Sequence, residues 1–128
     1  MFFKKKEVPV QYTIEQAIRM TAKEMPAKLA DSIAVIVGNY DEYSRRNQKC
    51  NEAIKVGDRN TYDQYDFLRR NSLCLAVNEI KKISDYLTKR YNVSAEIDET
   101  SPESMIDTIA NFCGMYYQTE SQEVACFR

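Results

Sequence analysis

Hydrophobic residues recur in the middle of the chain at alternate spacings of four and three. The first such stripe consists of Leu29, Ile33, Ile36, Tyr40, Tyr43, Asn47, Cys50 and Ile54. These spacings keep side chains on one face of an α-helix, as in the seam of a coiled coil. We therefore predict a long helix over residues 26–56 that packs against another helix.

A second stripe follows after a short polar turn. Its members are Leu73, Val77, Ile80, Ser84, Leu87 and Tyr91. Gly57 offers a left-handed helix end, and Asp58, Arg59 and Asn60 form the turn. Two helices joined so closely fold back on each other, which predicts an antiparallel hairpin of about 26–56 and 62–91, each arm about 45 Å long.

Three helix starts share one capping signal, a Thr followed three residues later by Gln or Glu. The pairs are Thr13 with Gln16, Thr61 with Gln64, and Thr100 with Glu103. Each pair can form a capping box, in which two side chains satisfy two free backbone N–H groups. The first and third add a helix over about 13–24 and another over about 102–117.

The predicted fold is all-α, a four-helix bundle built around the long hairpin with a shorter N-terminal and a C-terminal helix. Residues 1–128 form a single helical domain in this prediction. It includes an N-terminal extension (1–12), an acidic linker (92–100) and a C-terminal tail (119–128). Only three glycines and three prolines interrupt the chain, which favours long helices.

Apolar residues are dense at one end of the hairpin and sparse at the other. Between Leu29 and Val37 the first arm is apolar almost all round, and Leu73 to Val77 is equally dense in the second. We expect the core there. The opposite half, residues 43–70, is the distal arm, a two-stranded coiled coil. In its seam Ile54, Cys50 and Asn47 oppose Tyr62, Tyr65 and Leu68.

The net charge of −1 conceals an uneven distribution. Residues 1–91 carry 17 Lys and Arg against 12 Asp and Glu, whereas residues 92–128 carry one against seven. Opposite charges attract, so we expect the acidic C-terminal region to fold back on the basic body. An alternative is that this region masks the basic distal arm from a partner.

The composition argues against several classes of chemistry. The chain has no histidine and its four cysteines form no CxxC pair, which excludes a Cys/His zinc site and a histidine-dependent nucleophile. A Gly-rich phosphate loop is also missing. We predict no enzyme, no metal and no cofactor. Without a signal-peptide pattern or an 18-residue apolar run, the sequence predicts a cytoplasmic protein with reduced thiols, although Cys50 and Cys74 lie on facing helices and could oxidise.

The distal arm is the candidate partner-binding surface, because it interleaves arginine with tyrosine, residue types that interfaces favour. The candidate residues are Tyr43, Arg45, Arg46, Lys49, Arg59, Tyr62, Tyr65, Arg69 and Arg70. The alternative interpretation is a solvated coiled-coil exterior whose charges only confer solubility. Asn47, polar in an apolar seam, is a candidate for fixing register and oligomer state.

Two functional hypotheses follow. The first is a non-catalytic protein–protein interaction module, such as a homodimeric adaptor or a small inhibitor protein of phage or mobile-element type. The second is a nucleic-acid-binding protein that uses the basic arm, although a pI of about 5.6 is low for that role.

Overall fold

The structure is a computed structural model that describes residues 12–126, with side chains up to Thr119. Four helices occur in this part of the chain: α1 (Ile14–Glu24), α2 (Pro26–Val56), α3 (Arg59–Tyr91) and α4 (Pro102–Cys126). No strand lies among them. The all-α fold built around an antiparallel hairpin, here α2 and α3, is thus confirmed. The predicted extension, apart from Tyr12, and the end of the tail lie outside the described residues.

The hairpin turn differs from the prediction at the start of α3. Gly57 ends α2 in the left-handed conformation, with φ at 71°, as expected. However, α3 begins at Arg59, three residues before the predicted start, because Asp58 is its N-cap. The Asp58 carboxylate accepts bonds from the Thr61 backbone N–H (3.1 Å) and from the Thr61 hydroxyl (2.6 Å). The predicted capping box at Thr61 is therefore wrong.

Of the other two predicted capping boxes, one is confirmed and one is wrong. At α1 the Thr13 and Gln16 side chains exchange bonds of 3.1 and 2.9 Å with each other's backbone N–H groups, a complete capping box. At α4 the cap is Ser101 paired with Ser104. Here Thr100 bonds instead to Asp98, so the Thr100 box is wrong.

Helix α4 is also longer than predicted, since it continues to Cys126 instead of ending near Tyr117. The sequence explains the extension. Residues 118–126 contain neither glycine nor proline and include glutamine, glutamate and alanine, which have high helix propensity.

The hydrophobic core occupies the end of the hairpin that the apolar density predicted. Side chains that are fully buried come from three helices: Ile18, Leu29, Ile36, Leu73, Ile80 and Leu87. Helix α4 adds Ile109 and Phe112, and Val93 of the linker is 2% exposed. Among the described residues this core cluster contains none from 44 to 72. Beyond Tyr43, α2 and α3 thus cover only each other.

Helix α1 and the linker close the base of the bundle. The ring of Tyr12 packs edge-on against Tyr91, with centroids 6.2 Å apart, and the Tyr91 hydroxyl donates to Glu24. The segment just before α1 and the last residue of α1 therefore both contact the last turn of α3. The acidic linker runs back along α3, where Glu99 forms an ion pair with Lys81. This pair is a direct contact between the acidic region and the basic body.

The structure places Cys50 and Cys74 apart. Cys50 is buried in the seam, where its thiol lies 3.9 Å from the backbone carbonyl of Tyr62, whereas Cys74 is exposed. Because Cys74 follows Tyr62 by twelve residues, the two thiols are about 18 Å apart along the hairpin axis. A disulfide between them would require a different register, and both are free.

Candidate partner-binding surface

Two arginines predicted to contact a partner point into the hairpin instead. Arg46 of α2 donates to the Leu68 carbonyl (3.0 Å) and to the Ser72 hydroxyl (2.8 Å) of α3. From the other side, Arg69 donates to the Asn47 side-chain oxygen at 2.7 Å. These bonds cross the seam in both directions, so Arg46 and Arg69 hold the arm together.

Asn47 consequently has a partner within its own chain. The sequence suggested that it fixes register and oligomer state. Its bond to Arg69 supports a role in the register of the hairpin, since it joins α2 to α3 at one level. The same bond removes the reason for expecting Asn47 to pair with a second copy.

Arg69 is the centre of a larger polar network. Its guanidinium donates to Asp66 (2.9 Å) and to the Tyr62 hydroxyl (3.3 Å), and it lies 5.6 Å from the centroid of the Tyr62 ring. Both Arg69 and Asp66 are mostly buried, with side chains 20% and 17% exposed. Among the described side chains no buried polar atom lacks a hydrogen-bond partner, so the network is satisfied.

The remaining predicted cations are exposed but paired. Arg45 bonds to Glu42, which lowers the pKa of that carboxyl below its usual value. The other pairs are Lys49 with Glu52 (3.8 Å), Arg59 with Asp63 (3.8 Å) and Arg70 with Asp66 (3.1 Å). Every one of these pairs lies within a single helix. Each carboxylate reduces the attraction that its cation exerts on a phosphate backbone.

The three predicted tyrosines are half-buried. Tyr43 packs against Tyr40, with ring centroids 5.7 Å apart, and burial raises the pKa of its hydroxyl. Tyr62 faces Arg69, and Tyr65 is partly buried. Stacking on a nucleobase requires an exposed aromatic ring. All three tyrosines are partly buried, so such stacking has little support on the distal arm.

Exposed apolar side chains that the spacing did not predict lie near the end of the arm. Ile54 is 62% exposed and Val56 is 77% exposed, whereas Ala53 is only 3% exposed. The prediction of Ile54 as a seam residue is therefore wrong, and Ala53 occupies that place. Ile54 follows Leu29 by 25 residues, which is close to seven full turns, so both lie on one face of α2.

The position of α4 explains why this face is buried at one end and open at the other. Leu29 and Ile36 face the core that α1, α3 and α4 build. Helix α4 begins beside Tyr43, where the charge of Glu103 in its first turn acts on the Tyr43 hydroxyl. It continues towards the base, where Phe112 lines a cleft with Ile80. On the distal arm the same face of α2 has no covering helix.

A shallow concavity of about 340 Å³ lies at this end of the arm. Its walls are Ala53, Ile54, Gly57, Asp58, Arg59 and Tyr62. The walls combine apolar groups with one carboxylate and one guanidinium. Such a surface can hold an apolar side chain of a partner.

Two further features, a metal-binding cluster and a membrane-spanning helix, are not found among the described residues. No three His, Cys, Asp or Glu side chains among them converge on a position where a metal ion could bind. Within residues 12–126, no helix has both the length and the hydrophobicity that crossing a membrane requires.

No protein-family model matches the chain, and neither a curated protein nor a solved structure shows significant similarity to it.

Proposed function

We propose that this protein is a non-catalytic protein–protein interaction module that binds its partner with the distal arm, at a contact centred on Ile54. One observation carries the proposal: the core-facing side of α2 continues past Tyr43 without a covering helix and exposes 62% of Ile54. Burying such a side chain contributes about 1.5–3 kcal/mol to association.

The chemistry of the arm suggests what the partner presents. Ile54 and Val56 supply apolar contact, and the concavity beside Ile54 can receive an apolar side chain. Lys55 and Arg59 are exposed around them. A protein surface with an apolar centre and a carboxylate rim fits this arrangement.

The proposed class is that of adaptors and of the small inhibitors that phages and mobile elements use, proteins that act by occupying a surface. A cytoplasmic location is part of the proposal. The free thiols of Cys50, Cys74 and Cys113 suit a reducing compartment.

The test is partner capture with the full chain as bait. Ile54→Glu places a charge in the proposed contact without disturbing the seam, whereas Val35→Glu is a matched change at an apolar position that is 44% exposed on the same helix. We expect Ile54→Glu to lose the protein captured by the wild type and Val35→Glu to retain it. Equal capture by both variants would contradict the proposal.

Nucleic-acid binding is the alternative, favoured by an excess of cations on the distal arm, seven against four acids. Pairing within each helix weakens that argument. A clean test reverses only Arg45, Lys49, Arg59 and Arg70, because Arg46 and Arg69 hold the hairpin. Oligonucleotide binding that falls steeply with salt and disappears in this variant would replace the proposal with the alternative.

A further inference from the structure

The face of α3 that points away from α2 carries a second regular stripe. Its members, alternately four and three residues apart, are Asn60, Gln64, Phe67, Asn71, Cys74 and Asn78. All six are exposed and none is charged, in a chain of which 29% of the residues are charged. Phe67 at the centre is 72% exposed. We call this the outer stripe.

The spacing of the outer stripe is that of a helix–helix seam. A solvated helix face normally carries charges, whereas the core of an interface is depleted of them and enriched in aromatic residues. The stripe is free of charge and has one exposed aromatic ring, Phe67, at its centre, and Leu75, 46% exposed, widens its apolar area along one edge.

Two charges on the opposite edge indicate which partner fits. Asp63 and Arg70 are seven residues apart, so they lie on the same edge of the outer stripe. When two identical helices pack antiparallel, this edge of one faces the same edge of the other. Asp63 of each copy then faces Arg70 of the other, which gives two ion pairs. In a parallel arrangement the edge with Asp63 would face the edge with Leu68 and Leu75, and these pairs could not form.

Both charges are free to change partners. Asp63 is 62% exposed beside Arg59 at 3.8 Å, and Arg70 is 64% exposed beside Asp66 at 3.1 Å. Ion pairs of an exposed side chain within one helix are weak, and Asp66 keeps its bond to Arg69, so exchanging both pairs for pairs between copies costs little.

We propose that this protein forms an antiparallel homodimer in which the outer stripe of α3 packs against the outer stripe of a second copy, with both Phe67 rings beside the two-fold axis. This surface is separate from the proposed partner contact at Ile54 and does not involve Asn47. A test that rejects the dimer would therefore leave the proposed function unaffected, and the reverse also holds.

The first experiment is sedimentation equilibrium of the full chain over a wide range of concentrations. We expect a monomer–dimer equilibrium for the wild type. Phe67→Ser removes two buried rings per dimer and should weaken association by at least about a hundredfold. Val35→Ser, a matched exposed apolar position on α2, should leave it unchanged. A wild type that stays monomeric, or a dimer insensitive to Phe67→Ser, would overturn the proposal.

The second experiment is a charge exchange that reports orientation. Asp63→Arg alone sets arginine against Arg70 twice per dimer, and Arg70→Asp alone sets aspartate against Asp63. Each should weaken association about tenfold. The double variant restores both pairs and should recover wild-type affinity. If the single variants weakened the dimer and the double variant did not recover it, the antiparallel arrangement would be excluded. Circular dichroism is the control that every variant stays helical.

Discussion

Arg69 shows how much of a residue's role depends on the partner that the fold brings to it. From the sequence it was one of several arginines on a basic arm, with nothing to distinguish it from Arg45. In the structure Arg69 binds Asn47 across the seam and Asp66 and Tyr62 within its own helix, while Arg45 binds Glu42 of its own helix. Spacing gives the face of a helix but does not give the level at which two helices meet.

This difference predicts unequal effects of two similar substitutions. Arg69→Ala leaves the Asn47 side-chain oxygen without its donor and the mostly buried Asp66 with Arg70 alone, so it should lower the free energy of unfolding by about 1–3 kcal/mol. Arg45→Ala removes an exposed pair and should change that free energy by less than about 0.5 kcal/mol. Urea denaturation followed by circular dichroism measures both. Equal effects would mean that the network contributes no more than a surface pair.

At the scale of the elements, the helix ends that depend on a single residue were the ones that the sequence predicted best. The end of α2 at Gly57 was correct because a left-handed cap favours glycine. The start of α3 was wrong by three residues, whereas α4 begins at Pro102 as predicted and only its cap residue was wrong. In both places two polar residues competed for the cap. Asp58 prevails over Thr61, and Ser101 over Thr100. Local sequence offers both solutions, and the path of the incoming chain selects one.

The Asp58 cap predicts a pH dependence of the hairpin. Hydrogen bonds from Thr61 lower the pKa of Asp58 below its ordinary value of 3.8. A carboxyl whose pKa is lower in the folded state stabilises that state fully above its unfolded pKa, and this stabilisation is lost as the pH falls through the folded value. Stability should therefore decline below about pH 4.

The matched variant is Asp58→Asn, which keeps a capping oxygen but does not titrate. Thermal unfolding as a function of pH should show a smaller acid decline for Asp58→Asn than for the wild type, and similar stability near neutrality. If both proteins lost stability in parallel as the pH fell, other carboxyl groups would account for the whole decline.

Viewed as a whole molecule, the protein divides into a four-helix base and a two-helix arm. The sequence located the base correctly because apolar density marks a core wherever several helices converge. It failed at Ile54 because a periodic stripe shows which face is apolar and not where the covering helices stop. The same limit hid Phe67, whose face of α3 is open throughout the distal arm.

Base and arm should respond differently to the loss of the same methyl and methylene groups. Ile36→Ala leaves a cavity at a position with no exposed surface and should lower the free energy of unfolding by about 2–5 kcal/mol. Ile54→Ala, at 62% exposure, should change it by less than about 0.5 kcal/mol. Chemical denaturation distinguishes the two. A large loss for Ile54→Ala would place that side chain inside the folded arm.

Because α2 and α3 alone build the arm beyond Tyr43, the length of these two helices sets how far the end of the arm lies from the base. Val56 follows Tyr43 by thirteen residues, so the end of the arm stands about 20 Å beyond the base. Seven residues make nearly two helical turns. Removing one matched heptad from each helix would draw the end inward by about 10 Å while turning it by only about 20°. The number of heptads in α2 and α3 thus sets the distance between the four-helix base and the proposed contact at Ile54.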